Sequence, residues 1–303
     1  MTKRALPFDS GLAARMFLTM FLLAALYLGF AWVLFRAGAG ASTMVVVIGI
    51  MLVAQYYFSD RLVLWSTGAR EVSPGDAPDL HALVERLAAL ADMPKPRVAV
   101  VESPIPNAFA TGRNQKNAVV AVTTGLLGRL ETPEVEAVLA HEMAHIKNRD
   151  MTVMTIASFF ATVASFIVQQ AFYWGLPMGR GGYGNDDRRN GGGFMLVYLA
   201  SLLVWLISYF LIRALSRYRE YAADRGGAIL IGAPSRLASA LQKISGAMER
   251  IPQRDLRQAE GLNAFFIIPA LQGESFMELF STHPSLENRL EHLRRLEQAM
   301  EAK

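Results

Sequence analysis

Two of the chain's five histidines stand four residues apart, in His141-Glu142-Met143-Ala144-His145. On a helix that spacing puts both imidazoles one turn apart on one face, where they can share a metal ion. Glu142, beside the first histidine and not needed as a ligand, has the reach of a general base. Such a set would serve hydrolysis: a zinc-activated water attacks a carbonyl while the carboxylate moves the water's proton. Two surface histidines on an ordinary helix are the bland alternative, and the scarcity of histidine in this chain argues against it. The 303 residues contain no cysteine. Thiolate nucleophiles, disulfides and cysteine-held zinc are therefore excluded, and any metal is held by histidine and carboxylate.

A catalytic zinc takes three protein ligands and keeps one position open, so a further donor must come from elsewhere. Glu220, in Ser216-Arg217-Tyr218-Arg219-Glu220-Tyr221-Ala222-Ala223-Asp224, is the candidate. On a helix Asp224 lies one turn beyond it on the same face, placed to orient a ligand histidine. Taken alone, the segment also reads as a charged helix held by salt bridges. Asp150 follows the ligand pair closely and either supports a ligand or simply ends the helix. Arg289 is a weaker salt-bridge candidate.

Several elements must position these groups. Thr132 and Pro133, followed by Glu134 and Glu136, signal a helix start, and the apolar run behind them leads straight into His141. Upstream, Leu80, Leu83, Val84, Leu87 and Leu90 recur at helical spacing behind Pro78 and Asp79. Residues 97–101 and 118–122 are β-rich runs separated by Pro104, Pro106 and Gly112, which predicts a small sheet or hairpin. Between them Asn107, Ala108, Phe109 and Ala110 offer either an edge strand for an extended substrate peptide or a buried strand.

The hydrophobic share is 52%. It is concentrated in residues 16–35, 37–58, 152–177 and 194–212, none of which carries a charged side chain. Each is long enough to cross a hydrocarbon core of about 30 Å, and the first is read as a retained span, not a cleaved signal. The net charge of +4 comes largely from residues beside these stretches, among them Lys3, Arg4, Arg15, Arg61, Arg213, Arg217 and Arg219. That is juxtamembrane patterning and not a nucleic-acid-binding stripe. The same bias puts the N-terminus in the cytoplasm, and an even number of spans returns the C-terminus to that side. His145 precedes the third span and Glu220 follows the fourth, so the helical hairpin between them brings both to one membrane face. The glycine-rich residues 179–193 are expected to form a flexible connector. The chain thus divides into a transmembrane hairpin (1–58), a cytoplasmic catalytic segment (59–150), a second hairpin (151–212) and a second catalytic segment (213–303).

The two motifs, together with Asn107-Ala108-Phe109-Ala110-Thr111-Gly112 and Thr282-His283-Pro284-Ser285 in the expected order, closely resemble the HtpX membrane peptidases, relatives of the CAAX prenyl proteases. The resemblance covers nearly the whole chain. It implies one zinc per subunit on His141, His145 and Glu220, with Glu142 as catalytic base, the assignment also reached from spacing. It further implies quality control of misfolded or damaged membrane proteins, with the active site facing the cytoplasm. The Thr-His-Pro string makes His283 a candidate donor to the developing oxyanion, or else a helix-start histidine before Pro284.

The expected architecture is a mainly α membrane protein: four transmembrane helices and a helical zincin-type catalytic domain with a small β-sheet, assembled from two cytoplasmic segments. Its expected partners are unfolded membrane polypeptides and the lipid bilayer of a cell's inner membrane, with no nucleic acid. A channel or transporter would carry ionisable groups inside its spans, and these four have none. A purely structural zinc would not need Glu142, and a prenyl-protein protease is expected to carry more spans.

Overall fold

The structure, a computed structural model, describes residues 10–36, 61–173, 187–251 and 283–302 and, singly, Gly49, Ile50, Val53, Tyr57 and Ile267. Helix α1 (Ser10–Arg36) buries Thr19, Leu23, Tyr27 and Phe30, a stripe at helical spacing. Its other faces turn Phe17, Leu18, Phe21, Leu22, Leu28 and Trp32 outward. An outward run of this kind is too apolar for water and suits lipid. Two helices among the described residues, Ser10–Arg36 and Met195–Ile231, are long and apolar enough to cross a membrane. The expected span at 37–58 lies almost wholly outside the described residues.

Two helices pack on α1: α4 (Asp150–Tyr173) and α5 (Asp187–Ile231). Leu23, Tyr27 and Phe30 of α1 meet Ala157, Ala164, Val204 and Leu215 in one apolar cluster, and the Tyr27 hydroxyl donates to the Ala157 carbonyl at 2.5 Å. Helix α5 starts at Asp187, inside the stretch expected to be a connector, and runs unbroken past Glu220. The reason is cooperative: once the apolar segment has nucleated a helix, extending it avoids a second nucleation penalty, which offsets part of the cost of Gly191–Gly193.

The second half of the fold surrounds helix α3 (Thr132–Lys147), which is buried continuously from Glu134 to Ile146. A helix buried all round sits at the centre of its domain. It packs against α2 (Pro78–Ala91), α5, α6 (Pro234–Met248) and a four-stranded sheet, while α7 (Leu286–Glu301) covers α5 and α6. Proline opens α2, α3 and α6 in the first turn, where the missing N–H costs nothing. Glu134 accepts the Glu131 N–H at 2.9 Å, closing the first turn of α3, and also takes the Ser239 hydroxyl at 2.7 Å and Lys243 Nζ at 2.8 Å, tying α3 to α6.

The sheet comprises β1 (Arg70–Glu71), β2 (Arg97–Val101), β3 (Ala108–Thr111) and β4 (Val119–Thr123) in the order β1-β2-β4-β3. β2 and β4 are parallel from Arg97↔Val119 to Val101↔Thr123. β3 runs antiparallel to β4, from Ala108↔Val122 to Thr111↔Val119. Among the described residues β3 is therefore an edge strand. One face of the sheet, with Val98, Val120 and Val122, joins the core under α2 and α3. The other, with Ala99, Phe109 and Ala121, is covered by Val63, Leu64 and Ala69.

Candidate metal centre

His141 and His145 project from α3 one turn apart. A turn through Arg149, with a positive φ of 57°, ends α3 and starts α4 at Asp150. That reversal places the Asp150 carboxylate 2.6 Å from His145 Nδ1, which donates to it. Helix α5 brings Asp224 to 2.9 Å from His141 Nδ1. Each imidazole thus turns its Nδ1 to a carboxylate and its Nε2 inward, the arrangement in which a ligand histidine presents Nε2 to a metal. The two Nε2 atoms face each other at 3.1 Å. Glu220, one turn before Asp224, has Oε1 3.5 Å from His145 Nε2 and Oε2 3.6 Å from His141 Nε2. All three residues are buried, and their donor atoms lie within 4.8 Å of one another.

This set fits a divalent cation. Two Nε2 atoms and a Glu220 oxygen converge on one point, as the ligands of a single ion do. The surroundings carry Glu142, Asp150, Glu220 and Asp224 against Arg219 and Arg289. Four carboxylates against two guanidiniums make a surround that favours positive charge at its centre. Burial works to lower the pKa of both imidazoles, but the carboxylates beside His141 and His145 outweigh it and raise both. Two imidazole nitrogens and a carboxylate oxygen are a donor set that zinc takes readily.

The neighbours tune each group. Burial pushes the Glu142 carboxyl above the ordinary carboxylate range, opposed by the two histidines and the Ala110 N–H of β3. Burial also works to raise Asp224, but the Arg289 guanidinium and His141 outweigh it and hold its carboxyl down at about 2. Arg289, itself buried, grips Asp224 with two hydrogen bonds, Nε to Oδ2 at 2.8 Å and Nη2 to Oδ1 at 2.6 Å. Its Nη1 donates to the Ile267 carbonyl at 2.7 Å. The residue that reads as a weak salt-bridge candidate in sequence is thus a forked clamp on the carboxylate behind His141.

His283 is buried, with Nδ1 3.4 Å from Glu220 Oε2. Asn107 Oδ1 accepts the Ile267 N–H at 3.0 Å, and the Asn107 backbone N–H donates to Thr123 Oγ1 at 2.8 Å. Phe109 packs into the cluster on the far face of the sheet. What Ala108, Phe109 and Ala110 offer beside the metal centre is therefore backbone.

One feature of the site goes unnoticed in sequence. A Cβ on Gly227 would come 2.7 Å from the His141 nitrogen and 2.8 Å from its Cα, and one on Gly226 would come 3.0 Å from Ala144 Cβ. Helix α5 crosses α3 backbone to backbone at the metal-facing turn, and only hydrogen fits there. The signal was present, since two glycines inside a helix each cost about 1 kcal/mol and call for a packing reason. Glu220, Asp224 and Gly227 share one face of α5 at helical spacing, so the close crossing and the reach of Glu220 have one cause.

The sequence matches the profile of Peptidase family M48 over residues 74–297. The chain belongs to peptidase family M48. This M48 peptidase is 72% identical over 299 residues to the Protease HtpX homolog of Moorella thermoacetica, covering 99% of each chain. It is 55% identical to Protease HtpX homolog 2 of Methanosarcina mazei, over 98% of this chain and 99% of that one. Against the Protease HtpX homolog of Pyrococcus furiosus the identity is 42%, over 96% and 98%. The crystal structure of S. mikatae Ste24p superposes with a TM-score of 0.54 at 18% identity, covering 92% of this chain and 67% of that one, so the fold is shared. As an M48 peptidase the chain is a metalloprotease with membrane-associated helices, and the cluster of His141, His145 and Glu220 is the group able to hold its metal.

Proposed function

We propose that this M48 peptidase is a membrane-bound zinc endopeptidase that cuts misfolded or damaged membrane proteins. The observation that carries the reading is the buried convergence of His141 Nε2, His145 Nε2 and a Glu220 carboxylate beside Glu142 and the edge strand β3. His141, His145 and Glu220 would hold the zinc. When bound, it supplies Lewis acidity that polarises a peptide carbonyl and eases deprotonation of water. Glu142 takes the proton of the attacking water and returns it to the leaving amine, and the burial that raises its pKa suits both steps. An extended peptide running beside β3 would lie past Glu142, whose carboxylate meets the Ala110 N–H. Backbone pairing ignores side-chain identity, which fits unfolded substrates of varied sequence. His283, held at Glu220, is assigned as donor to the developing oxyanion. Asp150 and Asp224 position the histidines.

The same reading keeps four spans, at 16–35, 37–58, 152–177 and 194–212, with both termini and the catalytic segments 59–150 and 213–303 in the cytoplasm. Its support is the exposed apolar surface of α1 and α5 and the basic residues flanking the apolar stretches.

Detergent-purified wild type, Glu142→Gln and chelator-treated wild type are to be compared on a denatured reporter protein. Glu142→Gln should keep stoichiometric zinc and lose cleavage by about 10²–10⁴-fold, and the chelated enzyme should be inactive until zinc is restored. Cleavage retained in Glu142→Gln would sink the assignment.

A further inference from the structure

Away from the metal centre, the first turns of α1 meet α5 and α7 in a cleft of ≈ 400 Å³. Arg15 reaches it from α1, Tyr221 from α5, and Asn288, Glu291, His292 and Arg295 from α7. Two of these are arginines, and Glu291 is the one carboxylate set against them. Glu291 is already engaged by Arg295 at 2.8 Å and by Arg294 at 3.3 Å. Arg15 forms no ion pair among the described residues, so the cleft holds surplus positive charge. Tyr221, Asn288 and His292 complete its polar lining.

Its depth identifies the ligand. Arg15 immediately precedes the apolar run that starts at Met16, and the next outward residues, Phe17, Leu18, Phe21 and Leu22, are exposed. A bilayer that covers those side chains sets its headgroup layer at Arg15. A cationic cleft at headgroup depth, continuous with a lipid-facing helix, matches a phosphodiester attached to acyl chains. We propose that this cleft binds the headgroup of an anionic phospholipid, whose acyl chains lie along the outer face of α1. The lipid bridges α1, α5 and α7, the last two of which also carry Glu220, Asp224 and Arg289. The proposal rests on α1 spanning the bilayer.

The test uses the full chain, purified in detergent with its metal, and native mass spectrometry with phosphatidylglycerol or phosphatidylcholine. The wild type should retain phosphatidylglycerol over phosphatidylcholine. Removing Arg15 and Arg295 together, as Arg15→Gln/Arg295→Gln, should weaken that retention by roughly fivefold per arginine. Lys95→Gln, a remote cation, should leave it unchanged. Should the double variant lose its metal and hence its fold, Arg15→Gln alone, at an exposed position, carries the fivefold expectation. Equal retention of the two lipids, or unchanged retention in the arginine variants, overturns the site. Displacement of phosphatidylglycerol by glycerol 3-phosphate at matched concentration would make it a site for soluble phosphate esters and overturn the lipid. Carbonate extraction of native membranes separates the two readings. A chain released by carbonate overturns the spanning helix and the lipid site with it, whereas an integral chain that fails to discriminate lipids overturns the lipid site alone.

Discussion

Asp150 and Asp224 stand behind the histidines on opposite sides, their carboxylates 2.6 Å from His145 Nδ1 and 2.9 Å from His141 Nδ1, so that each ring turns Nε2 toward Glu220. Replacing either with asparagine removes the charge but keeps the shape, and the imidazole is then free to flip or change tautomer. Asp150→Asn and Asp224→Asn should each lower zinc affinity about 10- to 100-fold, read by competition with a chromogenic chelator. Unchanged affinity in both would reduce the two carboxylates to packing. The histidine pair and Glu142 were legible because their spacing is local, and Glu220 because two apolar stretches tie its position to theirs. Arg289 was not legible. Its partner Asp224 lies far away in sequence and no periodic pattern connects them, so only the folded chain shows the two-bond grip. Asn107 was legible as part of a site motif but not in its role, since its amide serves the backbone at Ile267.

At the scale of elements, the α3–α5 crossing makes two glycines distinguishable by experiment. Gly227→Ala puts a methyl group where His141 backbone atoms already stand. The helices must separate, and Glu220 withdraws from the histidines. Gly232 ends α5 with φ +70 and open space around it, so Gly232→Ala strains only the backbone. The expected outcome is a stability loss of about 1 kcal/mol for Gly232→Ala with zinc retained, against loss of zinc for Gly227→Ala, both read by thermal unfolding and metal analysis. The α3–α6 joint predicts a pH dependence. Burial works to raise Glu134, but Lys243, Ser239 and the Glu131 N–H win and hold it below its ordinary 4.5. A carboxyl with a lowered folded pKa contributes stability above its unfolded value and loses it as pH falls through the folded one. Glu134→Gln should therefore be less stable than wild type by roughly 1 kcal/mol at neutral pH, and the gap should close below about pH 4.5 in denaturant titrations. A gap that persists in acid would mean the joint is not electrostatic. Helix starts were readable because Pro78, Pro133 and Pro234 mark them. The pair of residues in β1 was not, because so short a strand has no periodicity.

For the whole molecule, the sequence is more explicit about lipid than about arrangement. Uncharged stretches declare apolar surface, but which of them pack together depends on side chains such as Tyr27, whose hydroxyl finds the Ala157 carbonyl only after folding. Because the chain has no cysteine, introduced thiols report topology without background. Ser10→Cys and Glu301→Cys should both react with a membrane-impermeant maleimide in inverted vesicles and neither in right-side-out cells. One terminus labelled from outside and the other from inside would require an odd number of spans, and both labelled from outside would invert the topology. Helix α5 carries one more consequence. It is a single helix from its apolar part, whose proposed span ends at Ile212, to Glu220, and eight residues at 1.5 Å each put the metal ligands at most about 12 Å beyond that end, less by the tilt of the helix. The enzyme is then a ruler as well as a blade. A substrate strand rising straight from the bilayer needs up to about four extended residues to cover that distance, so peptide bonds closer to the membrane than that should escape cutting, and the stub left on a cleaved membrane protein should have a minimum length.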